Sequence, residues 1–299
     1  MKRFVSRAIL FHERYFHFII LLPSLIIIII LTLYPLINVL YLSFYHYSYI
    51  TGTKYYVGLA NFIRIFNDRY FLKGLENTLN FSIFATFFEL LAGFGLALLF
   101  NIRFRGKKYL LPVVILPMML STMVICATWR AMYHYEYGII NYIFRYLGIG
   151  DGVKWLMDRN IAMWSVIMVD IWQLTPFAFL IILAGLQSIP DELHEAARVD
   201  GAGAAQVFRH ITLPLLKPHI LMVVLLRTID TLKIFDKVYA LTGGGPGTAT
   251  VTMSYYIYRE GFTYFNLGRA SAASVIMFVV VAIVSSLYIG YVIRGQARG

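Results

Sequence analysis

The chain has 299 residues, 60% of them hydrophobic and only 14% charged, with a mean hydropathy of +0.71. An ordinary soluble domain is roughly 45–50% apolar and about 25% charged, so this chain cannot cover its apolar surface with polar groups, and the surplus must face lipid. The net charge of +11 does not point to nucleic acid, because Lys and Arg fall in short blocks between apolar runs, the distribution that sets membrane topology.

A membrane-crossing helix needs about 20 mainly apolar residues. Six such runs follow one another, at about 16–42, 77–100, 109–132, 161–185, 216–241 and 269–293. The first has its core at Leu25–Leu31. The preceding Met1-Lys2-Arg3 resembles the front of a signal peptide, but the run outlasts a signal's apolar region and no small-residue cleavage site follows, so a retained helix is expected. Lys2, Arg3, Arg7 and Arg14 precede it, Arg103, Arg105, Lys107 and Lys108 crowd the second loop, and Arg294 and Arg298 end the chain. Positive charge in short loops marks the cytoplasm. Both termini, the 101–108 loop and the 186–215 segment are therefore expected inside, with 43–74 and 134–160 outside. Lys54, Arg64, Arg69 and Lys73 in 43–74 weaken that bias without reversing it. The expectation is an all-α integral membrane protein: six transmembrane helices in one domain, 1–299, with both termini cytoplasmic.

Spans two to four carry few polar groups. Asn80 and Glu89 in the second, and Asp170 and Gln173 in the fourth, are candidates to partner the charges of span five or to bind hydroxyls, and Trp172 stands beside Gln173. An aromatic face over sugar C–H groups and an amide on hydroxyls would suit a sugar site, although a lone Trp in a span also serves packing. Pro112, Pro117 and Pro176 are candidate kinks. The single Cys126 permits neither a disulfide nor a cysteine metal site. His12, His17, His46, His134, His194, His210 and His219 show no metal-ligand spacing, so no metal is expected.

The segment between spans four and five is polar. Ser188, Pro190 and Asp191 read as a helix start. Asp191 and Glu192 sit where the helix dipole favours acids, and Gly201 is placed to take a left-handed cap. A second short helix, Ala204 to His210, should follow before Leu213-Pro214 opens span five. The small residues Ala196, Ala197, Ala202, Gly203, Ala204 and Ala205 leave one side bare. Such a surface suits either close approach by another protein or simple packing under the bundle.

Glu195-Ala196-Ala197, three residues, Gly201, nine residues, Ile211, one residue and Leu213-Pro214 resemble the signature loop of binding-protein-dependent ABC import permeases. Gln187-Ser-Ile-Pro-Asp-Glu-Leu193, Arg198-Val-Asp200-Gly-Ala202 and the stretch Leu226–Gly247 resemble the carbohydrate branch of that family. The similarity runs from about span two to the end. It implies the type I importer permease fold, a prokaryotic inner or plasma membrane location, and a translocation path for sugar. The implied partners are a second homologous permease, two cytoplasmic ATPases holding ATP and Mg, and an external solute-binding protein. Glu195, Ala196, Ala197, Asp200, Gly201, Leu213 and Pro214 would form the ATPase-coupling element.

Span five itself contains Arg227, Asp230, Lys233, Asp236 and Lys237. At helical spacing, Arg227, Asp230, Lys233 and Lys237 fall on one stripe. A lipid-facing charge near mid-membrane costs at least about 2.5–3.5 kcal/mol, so the stripe must face the bundle interior or a water-filled cavity. It is either an Arg227–Asp230 packing pair or a wall of the path. Asn80, Glu89, Trp172, Gln173, Arg227, Asp230 and Lys233 are the path candidates.

Gly243-Gly244-Gly245-Pro246-Gly247-Thr248 lacks the Lys-Ser/Thr ending of a phosphate loop and follows no strand. It is either a plain turn or a contact for the external binding protein, with Gly243, Gly244, Gly245 and Pro246 the contact candidates. No nucleophile–base–acid set is recognisable, so the chain is expected to be no enzyme and to bind no cofactor itself. Two alternatives remain open. One is an ABC permease for a solute such as glycerol phosphate, with Arg227 as anion contact. The other is an ion-coupled secondary carrier using Asp230 or Glu89.

Overall fold

The computed structural model describes residues 2–102 and 104–296, and their side chains over 20–102 and 104–290. Arg103 and Arg298 lie outside the described residues, as do the side chains of Lys2, Arg3, Arg7, His12, Arg14, His17 and Arg294. In chain order the elements are α1 (Lys2–Ser43), the strands β1 (Tyr45–Ser48) and β2 (Thr53–Tyr56), α2 (Ala60–Phe66), α3 (Arg69–Asn101), α4 (Lys107–Met119), α5 (Thr122–Met132) and α6 (Ile139–Tyr146). These are followed by α7 (Ala162–Gln187), α8 (Asp191–Val199), α9 (Ala204–Val207), α10 (Leu213–Thr231), α11 (Asp236–Leu241), α12 (Met253–Tyr258) and α13 (Leu267–Gln296). Among the described residues, five helices are long and apolar enough to cross a membrane, or six if the bent pair α4–α5 counts as one span.

Three elements depart from the sequence expectation. The third run is two helices set at 96° rather than one rod. Pro117 withdraws a donor near the end of α4, and extended Leu120 and Ser121 then lead into α5, with Ser121 at its N-cap position. The fifth run starts earlier and ends sooner than 216–241. Ala204 to Thr231 is one continuous 28-residue helix, passing through a π-helical turn at Phe208–Thr212, so no separate helix ends at His210. It stops at Thr231, where a single unbroken face would carry three bases, Arg227, Lys233 and Lys237, beside Asp230. Interrupting the helix at 232–235 turns Lys233 and Asp236 outward and Lys237 inward. The third departure is β1–β2, an antiparallel hairpin pairing Tyr45 with Tyr56 and Ser48 with Thr53, within the 43–74 segment of a chain expected to be all-α.

Internal contacts divide the chain into two compact units, Met1–Ile65 with Glu260–Val275, and Phe66–Arg259 with Ile276–Gly299. In the first, the Asn61 amide donates to the carbonyls of Ser43 and Tyr45 at 2.9 and 2.8 Å, holding α2 to the end of α1. The Lys54 ammonium stands 4.7 Å from the Tyr41 ring centroid. From Ile20 onward α1 buries almost nothing against its own chain.

The second unit is organised on α3 and α7, which pack along their length. One apolar cluster joins Phe81 and Ala85 of α3 to Val166 and Val169 of α7, Ile125 of α5 and Val238 of α11. A second joins Ala97 and Phe100 to Ala178, Phe179 and Ile182, with Leu216 and Val223 of α10. Pro176 lies within α7 without ending it. The closest approach is at Gly93, where an added Cβ would come 2.7 Å from the Ala178 Cβ and 2.8 Å from the Phe179 nitrogen. Membrane helices lack a hydrophobic drive toward each other and rely on such small-residue contact.

Gly93→Ala should therefore push α3 from α7, lowering membrane abundance and the thermal stability of the purified protein, at a cost of about 1–3 kcal/mol. Gly95→Ala, on the same helix with nothing within 4 Å of its added Cβ, should be neutral or slightly stabilising. Equal behaviour of the two variants in a thermal-shift measurement would show that Gly93 does not set the α3–α7 distance.

Candidate functional site

Between the two apolar clusters lies a layer of charge. Arg227, on the last turns of α10, is 3% exposed, and its guanidinium is divided among three carboxylates. Nε donates to Glu89 of α3 at 2.5 Å and Nη2 to the other oxygen of the same carboxylate at 2.9 Å. Nη2 also donates to Asp170 of α7 at 2.9 Å, and Nη1 to Asp230 at 2.6 Å. The second oxygen of Asp170 accepts from the Lys237 ammonium of α11. Glu89, Asp170, Arg227 and Lys237 are all buried. Their formal charges cancel, as a low-dielectric setting requires, and the fork of Arg fits a carboxylate with two parallel bonds.

The layer forms one wall of a cavity of about 510 Å³. Its remaining lining includes Ser121 and Thr122 at the α4–α5 bend, Gln173, Asp230, and Lys233 with Phe235 in the α10–α11 interruption. The Asp230 side chain is 62% exposed. Gln173 donates through Nε2 to the Thr122 hydroxyl at 3.2 Å, while its buried Oε1 has no partner among the described residues.

The sequence stripe is thus part structural and part cavity wall. Arg227 and Asp230 do pair, but the pair is one edge of a larger network reaching Glu89, Asp170 and Lys237. Of the other path candidates, Lys233 and Gln173 reach the cavity. Asn80 is exposed elsewhere on α3. Trp172 packs edge-on against Trp129, with ring centroids 5.7 Å apart, and does not line the cavity. The sequence reading missed Ser121 and Thr122. The signal available was two hydroxyls just after Pro117 in an otherwise apolar run, where a new helix would begin.

The inter-span hairpin is built differently from its prediction. Ser188 serves the end of α7, donating its hydroxyl to the Gly185 carbonyl at 2.8 Å, and Pro190 occupies the N-cap position of α8. The other end is as expected. Gly201 takes φ +80°, its N–H reaches the Arg198 carbonyl at 3.1 Å, and the Ala202 N–H reaches Ala197 at 2.9 Å, a Schellman closure. His194 meets the Thr212 hydroxyl at 3.3 Å, joining the two arms. No residue of α8 is buried. Glu195, Ala196, Asp200 and Gly201 are exposed, Ala197 is half-buried, and Leu213 and Pro214 stand exposed at the start of α10.

The glycine-rich loop is ordered rather than slack. The Thr250 hydroxyl donates to the Gly245 carbonyl at 2.8 Å, and the Asn77 amide of α3 donates to the Thr248 carbonyl at 3.0 Å. Gly244 is buried; Gly243 is exposed, and Gly245 and Pro246 are half-buried. Among the described residues, no group of three His, Cys, Asp or Glu could hold a metal ion.

Residues 89–297 match the family model described as "Binding-protein-dependent transport system inner membrane component". The chain is 35% identical over 298 residues to a trehalose/maltose transport system permease protein, MalF, of Thermococcus litoralis, covering 100% of this chain and 99% of that one. It is 32% identical over 296 residues to an sn-glycerol-3-phosphate transport system permease protein, UgpA, of Agrobacterium fabrum, covering 96% and 97%. Among solved structures, it resembles a chain of a bacterial alginate ABC transporter in complex with an alginate pentasaccharide-bound periplasmic protein. That match has a TM-score of 0.81 and 25% identity, over 93% of this chain and 94% of that one.

Removing the guanidinium would leave Glu89 and Asp170 facing each other in the interior. Arg227→Ala should therefore cost roughly 3–5 kcal/mol and make the protein scarce in membranes. Exchanging the pair, Arg227→Asp with Asp230→Arg, should not restore it, because the new carboxylate would join two others. Immunoblotting of membrane fractions checks both, and rescue by the exchange would reduce the network to a two-residue pair.

Proposed function

The chain belongs to the binding-protein-dependent transport system inner membrane components, the multi-pass permeases of ABC importers, and from that premise we propose that its cargo is a sugar. The permease has no catalytic role, and nucleotide chemistry falls to an ATPase partner. In the proposed assembly, a second homologous permease completes the path, two ATPases holding ATP and Mg lie in the cytoplasm, and a solute-binding protein delivers cargo outside. Both termini and the 186–215 hairpin face the cytoplasm. The cavity beside Arg227 belongs to the path, with Gln173, Asp230 and Lys233 on its wall. Exposed Gly243, with Pro246, contributes to the surface that meets the binding protein. Buried Gly244 supports that loop from beneath.

The observation that carries this reading is the free-standing α8. A nine-residue helix with no buried residue and with Val199 88% exposed gains little by packing on its own chain. Yet its end is fixed by a Schellman closure and it is tied to Thr212. A rigid, unpartnered projection between two spans suits docking into a cleft on an ATPase, and it disfavours a secondary carrier, which needs no such partner.

Reconstituting the complex in liposomes with its binding protein, and screening sugars and glycerol 3-phosphate for stimulated ATP hydrolysis and uptake, tests the cargo. A strong response to glycerol 3-phosphate alone would replace the sugar reading. Two variants test the coupling. Gly201→Val strains a left-handed turn by about 1–2 kcal/mol, and Glu195→Lys reverses an exposed charge. Both should lose transport with normal membrane abundance and normal solute affinity of the binding protein. Full transport in both would remove the coupling role.

A further inference from the structure

We propose that the cavity beside Arg227 admits uncharged polyhydroxyl solutes and rejects anionic ones, with Asp230 as the residue that sets this preference. The inference rests on the reading that this cavity belongs to the translocation path.

The two buried cations of the cavity wall are already committed. Arg227 directs Nε, Nη1 and Nη2 to three carboxylates, at 2.5 to 2.9 Å. Lys237 is held by Asp170. The buried quartet therefore presents no net charge to the cavity. What remains on the lining is Asp230, Lys233 and Asp236, all exposed: two carboxylates against one ammonium, or a formal charge of −1. An anion entering this cavity would meet like charge, a juxtaposition that disfavours binding.

The hydrogen-bonding inventory points the same way. Asp230 and Asp236 offer acceptor oxygens, and Gln173 adds a buried Oε1 with no partner among the described residues. Acceptors are satisfied by ligand donors. A sugar hydroxyl donates a proton; a phosphate dianion or a uronate carboxylate has none to give at its charged group. Ser121 and Thr122 can serve as either donor or acceptor, so they fit a hydroxyl without selecting against one. Asp230 decides the matter because it both caps Arg227 Nη1 and faces the cavity with most of its side chain. Neutralising it would expose a guanidinium donor and remove a repulsive charge in one step. The glycerol-3-phosphate relative shows that an anionic cargo occurs on this fold, so the preference must come from lining residues rather than from the architecture.

The test uses the complete complex in nanodiscs, without binding protein, so that the permease's own preference is read. Binding of maltose, trehalose, a glucuronate-containing disaccharide and glycerol 3-phosphate is measured by equilibrium dialysis for the natural protein, Asp230→Asn and Asp230→Asn/Asp236→Asn. The natural protein should bind the two anionic probes more weakly than any neutral disaccharide it accepts. The single and double variants should then gain anion affinity progressively, on the order of tenfold or more, with the complex still assembled by size-exclusion chromatography. Tight binding of either anionic probe to the natural protein overturns the proposal. So does an unchanged anion affinity in both variants, and the neutral probes then show which reading has failed. A shift in neutral-sugar affinity keeps the cavity on the path and removes only the selectivity, whereas no change with any probe removes the cavity from the path as well.

Discussion

The second unit depends on one guanidinium shared by three carboxylates in a setting that tolerates no unpaired charge. Arg227 cannot be buried without Glu89 and Asp170. Asp170 receives Lys237 as well, which brings the cluster's two acids and two bases into balance. Four helices, α3, α7, α10 and α11, each supply one member, so the network dictates how these helices meet. Apolar side chains above and below could slide with little penalty in a membrane, where lipid is as apolar as leucine. The ionic layer cannot slide, because each displacement strands a charge. Position along the helices is therefore fixed by the polar layer, and separation by small residues such as Gly93.

The same constraint explains why the fifth hydrophobic run does not finish as a helix. A continuous helix would carry Arg227, Asp230, Lys233 and Lys237 on one face; Asp230 lies mostly exposed at the cavity edge, so the two buried acids of α3 and α7 would be left to balance three bases. Breaking the rod at Thr231 lets Lys237 return to Asp170 on a separate short helix while Lys233 and Asp236 turn to the cavity. The interruption both completes the buried charge balance and creates the polar lining. Stability and the proposed path thus share residues without sharing roles: Arg227 holds helices, and Asp230 faces the cavity.

Much of this was legible in the sequence, and the parts that were not have identifiable causes. Apolar run length located the long helices, since lipid thickness sets a minimum that composition must meet. The Glu195–Pro214 spacing located the hairpin, and Gly201 its turn, because a left-handed residue leaves a strong local signature. The intramembrane charges marked the buried network, and Glu89 and Asp170 stood out as candidate partners of the stripe, but which charge each would meet was not legible. Spacing along one helix exposes an i,i+3 pair such as Arg227–Asp230 and is blind to Glu89, 138 residues away. Run length also hides interruptions, so the α4–α5 bend and the end of α10 passed as continuous spans. Asn80 and Trp172 were singled out by type alone, and neither lines this cavity. The β1–β2 hairpin was missed because its tyrosines favour strands but are also enriched at a membrane interface.

The proposed coupling finds a physical route in the continuity of the helix from Ala204 to Thr231. Had α9 ended before span five, as the sequence suggested, a push on α8 would be absorbed in a loop. Instead the arm tied to α8 through His194 and Thr212 runs without a break into α10. From Ala204 to Arg227 is on the order of 35 Å at helical rise. Under the proposed coupling, a tilt imposed at the hairpin reaches the ionic layer as a lateral displacement of Arg227. That layer resists gradual deformation, because its bonds are short and its members buried, so small movements are borne by the whole four-helix assembly rather than by one side chain. Packed interfaces of this kind change between discrete arrangements rather than yielding continuously. A network that simply held the bundle together would need no exposed member; the placement of Asp230 at the edge, bonded to Arg227 and open to the cavity, would link the state of the layer to whatever occupies that cavity.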